Sequence, residues 1–305
     1  MEKRSIGSLA VSVVGLGCID FGWRIDANET VKVVDAALDA GINFFDTADI
    51  YGQGLSEEFL GRALGRRRND VLIATKFGLD MGEERKGARA TYVQEAVEAS
   101  LRRLGTDRID LYQLHRPDPE TPIAETLGAL HELVRQGKVR EIGCSNFSVE
   151  QIREAAAAGP AQAKFVSVQN ELSLIQREAA QDVVPECAAR GLAFLPYFPL
   201  ASGLLTGKYR RGQEPPAGTR ASNRWGPQVF TDKNLKLVEK LIVFAQSRNQ
   251  TLLDLAFAWL LAQPPVASVI AGARRAEQVR DNVSAIGWQL TAADLTEIEE
   301  ILSPL

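Results

Sequence analysis

Short apolar runs alternating with segments of helical periodicity constrain this chain more than any other feature. The runs are Val11–Gly17, Asn43–Thr47, Val71–Phe77, Ile109–His115, Arg140–Cys144, Phe165–Gln169, Leu192–Tyr197 and Ala267–Gly272. Most are apolar on both faces, as strands are in a parallel sheet covered by helices. Between them, apolar residues recur three and four apart: Val31, Val34 and Leu38; Val93, Val97, Leu101 and Leu104; Ile123, Leu127, Leu130 and Val134. Gly41, Gly105, Gly137 and Gly191 stand where a left-handed residue ends a helix, and Ser148 with Gln151 reads as a capping box. Eight β-then-α units in 305 residues predict an α/β chain folded as a (β/α)8 TIM barrel rather than a doubly wound sheet. The dinucleotide fingerprint G-x-G-x-x-G is absent, because Asp20 stands at the third glycine position after Gly15 and Gly17.

Residues 3–11, around Gly7-Ser8, predict an N-terminal hairpin that closes the barrel floor. Thr291 to Leu302, with Leu295, Ile298 and Leu302 on one stripe, predict a C-terminal helix. No internal repeat, low-complexity tract or linker interrupts the pattern, so residues 1–305 read as one barrel domain. An irregular stretch from about Ala201 to Thr231, carrying Arg210, Arg211, Arg220, Arg224 and Trp225, reads as a lid or ligand loop.

Composition removes several functional classes. Hydrophobic residues at 45% and charged residues at 24% describe an ordinary globule and exclude wholesale disorder. A net charge of −4 offers no footprint for nucleic acid or an anionic membrane. Cys18, Cys144 and Cys187 are scattered without a C-x-x-C, and the two histidines, His115 and His131, are too few for a multi-histidine metal centre. No metal is expected. His131, beside Leu127, Leu130 and Val134 on a helical segment, reads as structural. Lys3-Arg4 before Leu9–Ile19 imitates a signal peptide, but glycines and serines break the run and no clean cleavage site follows. Leu255–Ala273 is uncharged yet split by Pro264-Pro265, whereas a spanning helix needs about 20 continuous apolar residues. A soluble, cytoplasmic protein is expected.

Chemistry on such a barrel sits at the C-terminal ends of the strands. There the chain carries Asp46, Tyr51 just beyond it, Lys76 and His115. An ammonium beside a phenol favours phenolate, and a carboxylate keeps the ammonium charged. An imidazole nearby donates to a carbonyl oxygen or relays a proton. The set suits protonation of an oxyanion as a carbonyl is reduced. It also leaves Schiff-base chemistry at Lys76 open.

Asp-Thr-Ala-Asp-Ile-Tyr-Gly at 46–52 followed by Ser56-Glu57 resembles the signature of the aldo-keto reductase superfamily. Ala74-Thr75-Lys76, Leu111-Tyr112-Gln113-Leu114-His115, Gly143-Cys144-Ser145-Asn146-Phe147 and Gly203-Leu204-Leu205-Thr206-Gly207-Lys208-Tyr209 agree with it in order. The likeness runs essentially the whole chain, toward the branch that holds bacterial reductases and channel-associated beta subunits. It implies an NADP(H)-dependent oxidoreductase that reduces aldehydes or ketones, or runs in reverse. Carried over, Tyr51 is the proton donor, Lys76 and Asp46 its tuning pair, and His115 the residue that orients the carbonyl. The resemblance assigns Ser145, Asn146 and Gln169 to the nicotinamide carboxamide and Tyr197 to ring stacking. Gly17, Cys18 and Asp46 also border the cofactor. Phe198, Pro199, Leu200, Ala201, Gly203 and Lys208 follow the pyrophosphate, and Gly272, Arg274, Gln278 and Asn282 the adenosine end. Phe198 stands where a serine is common, which removes one side-chain contact to the pyrophosphate.

Arg274 and Arg275 open a helix-like segment after the last strand, and a guanidinium beside backbone donors suits a 2′-phosphate. NADPH is therefore expected over NADH. Trp23, Phe21, Phe77, Trp225 and Phe230 read as an apolar substrate rim, with Trp23, Trp225, Tyr51 and His115 touching the substrate. The expected partner is a small carbonyl or alcohol. Two rivals stay open: a Schiff-base lyase using Lys76, and a nucleotide-binding regulatory module with little turnover.

Overall fold

The computed structural model describes residues 1–82, 85–158, 163–213 and 226–303. Two short strands, β1 (Lys3–Ile6) and β2 (Leu9–Ser12), pair antiparallel. Their turn needs Gly7: φ is +53°, and a Cβ there would lie 2.6 Å from the Glu141 carboxylate, which accepts the Ser8 N–H at 2.7 Å. Eight further strands follow: β3 (Val14–Gly17), β4 (Phe44–Asp46), β5 (Leu72–Phe77), β6 (Ile109–Leu114), β7 (Val139–Ser145), β8 (Ser167–Gln169), β9 (Ala193–Phe194) and β10 (Val269–Gly272). Every neighbouring pair is parallel, in the order β10-β3-β4-β5-β6-β7-β8-β9. The ends meet through Phe194 N–H to Pro265 O at 2.7 Å, Ala267 N–H to Phe194 O at 3.0 Å and Ile270 N–H to Pro196 O at 3.1 Å. The sheet thus closes, and the fold is the expected (β/α)8 barrel.

A helix follows each barrel strand: 27–39, 55–64, 90–104, 123–135, 149–158, 183–190, 252–261 and 276–284. Two more, Asp232–Gln246 and Ala292–Leu302, pack on each other outside the ring. The stop glycines all have positive φ, and Ser148 and Gln151 exchange both capping-box bonds. No helix among the described residues is long and apolar enough to cross a membrane. The uncharged run from Leu255 ends its helix at Leu261, before the prolines.

Two expectations need correcting. The run Val11–Gly17 is not one strand: it divides at Val13, with Leu9–Ser12 in the hairpin and Val14–Gly17 in the barrel. Apolarity is continuous because both halves are buried, so it hides the boundary. In the helix Ala27–Asp39 the buried face is Thr30, Val33, Val34 and Ala37, and Val31 lies exposed beside it.

The barrel interior is layered by the two-residue period of its strands. Ile6, Leu9 and Val11 of the hairpin pack under Phe44, Ala74, Leu111, Ala193, Leu195, Ala267 and Ile270, sealing the floor. Burying each of the larger side chains among them contributes about 1.5–3 kcal/mol. Two residues further along β4, β5 and β6, the same inward face carries Asp46, Lys76 and Gln113. The apolar floor therefore changes to a polar mouth within one layer.

Candidate active site

The segment that delivers Tyr51 is pinned from below. After Asp46 the chain makes a short turn, Tyr51–Gly54, in which Gly52 and Gln53 have left-handed backbones. Thr47 and Ser56 share a hydroxyl bond at 2.8 Å, and Ser56 Oγ donates to Cys18 O at 2.8 Å. The buried Glu57 carboxylate accepts from Thr75 Oγ1 and from Arg103 Nε, each at 2.6 Å. Arg103 also packs so closely on Gly54 that a Cβ there would meet Arg103 Cδ at 2.7 Å. The loop is thereby held on the helices behind it.

At the mouth, the Lys76 ammonium is fully buried. It donates to Asp46 Oδ2 at 2.7 Å and to Thr47 O at 2.9 Å. The other Asp46 oxygen accepts from Gln169 Nε2 at 2.8 Å, with Gln113 Nε2 at 3.5 Å. Burial penalises the Lys76 charge, but Asp46 outweighs it and leaves the ammonium favoured above its ordinary range. The Tyr51 ring lies 5.3 Å from Lys76 Nζ and meets the His115 ring edge-on at 5.8 Å. Burial raises the phenol above its ordinary value, and Lys76 offsets part of the rise, so Tyr51 keeps its proton at neutral pH. Burial, followed by the charges of Lys76 and Arg116, lowers His115 to about 3. The imidazole is therefore neutral, a hydrogen-bond donor rather than an acid. Its buried Nδ1 has no partner among the described residues. A buried lone pair costs less than a buried orphan N–H, which puts the proton on Nε2.

These groups open into one cleft of about 320 Å³. On one side, Ser145 Oγ donates to Gln169 O at 2.7 Å, and Asn146, with φ of 62°, donates to His115 O at 3.0 Å. Tyr197 OH donates to Asn146 Oδ1 at 2.8 Å. Gln169 Nε2 is engaged by Asp46, so its Oε1 is the acceptor left over. Next comes a run of left-handed, non-glycine backbone at Phe198, Ala201 and Ser202, the strained kind that marks binding loops. Lys208 lines the cleft beyond it. On the opposite wall Gly17 and Gly272 sit side by side on β3 and β10, and Arg274 N–H donates to Gln278 Oε1 at 2.8 Å.

Most of the residues singled out from sequence line this cleft: Gly17, Cys18, Asp46, Tyr51, His115, Ser145, Asn146, Gln169, Tyr197, Phe198, Pro199, Leu200, Gly203, Lys208, Gly272, Arg274 and Gln278. Lys76 lies directly beneath it. Ala201 and Asn282 are buried behind the lining. The aromatic rim does not form as expected. Phe21 and Phe77 are core residues: Phe77 ends β5 on its outward face and stacks on Tyr112 at 4.7 Å, and Phe21 is buried in the loop after β3. Trp23 is 58% exposed under the Arg24 guanidinium and outside the cleft lining. Phe230 packs on Tyr209 at 4.6 Å. Arg220, Arg224 and Trp225 lie outside the described residues. The apolar lining comes instead from Ile19, Ile50 and Leu79.

Sequence reasoning missed Gln113, Arg116 and Asp49. Gln113 was within reach, since it precedes His115 by two and so shares its inward face. Asp49 is buried with Oδ1 unpartnered, and burial with the nearby Glu57 raises it to about 7. No group of metal-ligating side chains occurs among the described residues.

Comparisons with known proteins agree with this geometry. Residues 13–303 match the model of the Aldo/keto reductase family. The chain is 36% identical to the aldo-keto reductase yakc, named for NADP(+), of Schizosaccharomyces pombe, covering 98% of this chain and 91% of that protein. It is 34% identical to a probable voltage-gated potassium channel subunit beta of Arabidopsis thaliana, covering 99% and 97%. Among solved structures, the glycerol dehydrogenase AKR11B4 from Gluconobacter oxydans superposes with a TM-score of 0.86 at 33% identity, covering 100% of this chain and 97% of that one. The holo aldo-keto reductase AKR11C1 from Bacillus halodurans gives 0.81 at 34% identity, covering 99% and 96%. With the family's motifs converging on one cleft and its model matching nearly end to end, the chain belongs to the aldo/keto reductase family of oxidoreductases.

Proposed function

We propose that this cleft reduces an aldehyde or ketone to an alcohol with NADPH, or runs the reverse reaction with NADP+. The observation that carries the reading is a protonated phenol and a neutral imidazole facing each other above a buried Lys76–Asp46 pair. The donor set fits a nicotinamide dinucleotide. Gln169 Oε1, Asn146 and Ser145 suit the carboxamide, Tyr197 the ring, and the left-handed loop with Lys208 the pyrophosphate. Arg274 and Gln278, at the start of a helix, suit a 2′-phosphorylated adenosine, and bare Gly272 leaves room for close approach. When bound, the cofactor supplies a hydride to the carbonyl carbon.

The chain's own residues do the rest. His115 Nε2–H holds the carbonyl oxygen, and the Tyr51 hydroxyl gives that oxygen its proton. The phenolate left behind faces Lys76, whose charge Asp46 maintains, and it recovers its proton from water. A proton-donor role of this kind is worth about 10²- to 10⁴-fold in rate. The Schiff-base reading needs a neutral amine, and the Asp46 contact holds Lys76 as an ammonium. The regulatory reading draws on the likeness to relatives named as channel subunits.

Fluorescence titration with NADPH and NADH, followed by 4-nitrobenzaldehyde in the same cuvette, tests these readings together. The expected result is tighter binding of NADPH, a preference abolished in Arg274→Ala, and loss of absorbance from the reduced nicotinamide. Tight binding without turnover by a panel of aldehydes favours the regulatory module. Absence of binding removes the reductase reading and sends the search to borohydride trapping at Lys76.

A further inference from the structure

Among the described residues, the cleft holds one cation that neither the acid–base machinery nor the proposed cofactor contacts use. Lys76 is paired with Asp46, and Lys208 and Arg274 stand along the wall assigned to phosphates. Arg116, next to His115 beyond β6, also lines the cleft. Its charge is felt at the His115 imidazole and at the Tyr197 phenol, which places it at the reacting end. Among the described residues, no carboxylate pairs with it. Asp118, two residues on, is occupied by the N–H groups of Ala88 and Glu120 and the Thr121 hydroxyl, at 2.8, 3.0 and 2.7 Å. Glu171, the other carboxyl close to Tyr197, makes no ion pair with Arg116. The turn bearing Arg116 is thus fixed by Asp118, while the exposed guanidinium pairs with no anion among the described residues.

We propose that Arg116 selects the substrate: the cleft takes carbonyl compounds that carry an oxyanion, a carboxylate or phosphate ester, within reach of its guanidinium. This deepens the reductase reading and rests on it. A guanidinium presents a planar fork that matches either oxyanion with two parallel hydrogen bonds. The carbonyl oxygen is held between Tyr51 and His115, so an anion on the same molecule meets Arg116 at this end of the cleft. Ile50 and Leu79 give the connecting carbons an apolar wall. The interaction forms on binding and persists through hydride transfer, so it acts on KM more than on kcat.

The test compares matched aldehydes: 4-carboxybenzaldehyde against 4-nitrobenzaldehyde, and glyceraldehyde 3-phosphate against glyceraldehyde. In the wild type the charged member of at least one pair has the higher kcat/KM, and the pair that responds identifies carboxylate or phosphate. In Arg116→Ala the charged-to-neutral ratio falls by about ten- to a hundredfold, through KM. Arg116→Lys recovers part of it, and raised salt erodes the wild-type preference because the mouth is open to solvent. Equal kcat/KM for both members of both pairs in the wild type overturns the selection and leaves the reductase reading intact. A ratio unchanged in Arg116→Ala overturns the assignment to this residue. If no aldehyde is reduced, calorimetry of the NADP+-loaded protein with benzoate and benzamide decides separately. Benzoate binding that Arg116→Ala abolishes keeps the anion site without the reaction, and equal binding of the two overturns it.

Discussion

On β6, Asp110 lies near the floor of the barrel and His115 follows the strand at its mouth, and their surroundings differ in kind. Asp110 is fully buried with both oxygens occupied: Arg68 Nη2 and the Ile73 N–H reach Oδ2 at 2.8 and 3.0 Å, and Arg140 Nη1 reaches Oδ1 at 2.9 Å. His115 is also buried, yet among the described residues Nδ1 has no partner, and its exposed neighbour Arg116 pairs with no carboxylate. At Asp110 the buried charge is matched by three donors, as stability requires. Above, Lys76 and Asp46 are saturated just enough to stay ionised, while Tyr51, His115 and Arg116 keep hydrogen-bonding capacity in hand. Hydrogen-bonding capacity that faces the cleft, rather than buried charge itself, distinguishes the reactive end.

The contrast breaks most visibly at Tyr51. Tyr51→Phe removes the proton donor without touching a buried ion pair. Carbonyl reduction is expected to fall by about 10²- to 10⁴-fold, with NADPH affinity by fluorescence titration changed only a few-fold. Loss of cofactor binding in that variant would mean the phenol is misplaced. Next come Asp46→Asn and Asp110→Asn, each of which strands a buried cation. Denaturant unfolding is expected to report a loss of about 3–5 kcal/mol for either. Activity per folded molecule is expected to drop only in Asp46→Asn; an equal drop in Asp110→Asn would erase the distinction between the ends.

The subtlest effect belongs to Asp49, which sits behind the Tyr51 loop among Glu57, Arg103 and Lys76 and is felt at Tyr92 and Tyr112. Its folded value, about 7, is raised from 3.8, so the fold favours the protonated carboxyl. Between those values the unfolded chain is ionised and the folded chain is not, so stability falls as pH rises and levels off above about 7. Asp49→Asn removes that dependence. Its melting temperature relative to wild type is expected to rise from pH 4 to 7 and then stay level; a constant difference would mean Asp49 is ionised in the folded protein throughout.

Much of this was legible beforehand, for reasons that differ by residue. The β-then-α alternation was strong enough to specify the barrel, because each unit carries its own period and its own stop signals. Asp46, Tyr51, Lys76 and His115 were legible because strand ends on a barrel converge by topology alone. The aromatic rim was not. Phe21 and Phe77 are as apolar as any pocket residue, and only the path of the loop after β3 and the outward face at the end of β5 decide that both rings enter the core.

The amino-acid sequence by itself determined the order of elements, the closed sheet and the chemical types brought to its mouth, since these follow from local periodicity and chain connectivity. Tertiary structure alone decided the protonation states and the leftover valences. The neutral His115, the protonated Tyr51 and the charged Lys76 depend on distances and burial among residues far apart in the chain, which no local pattern encodes.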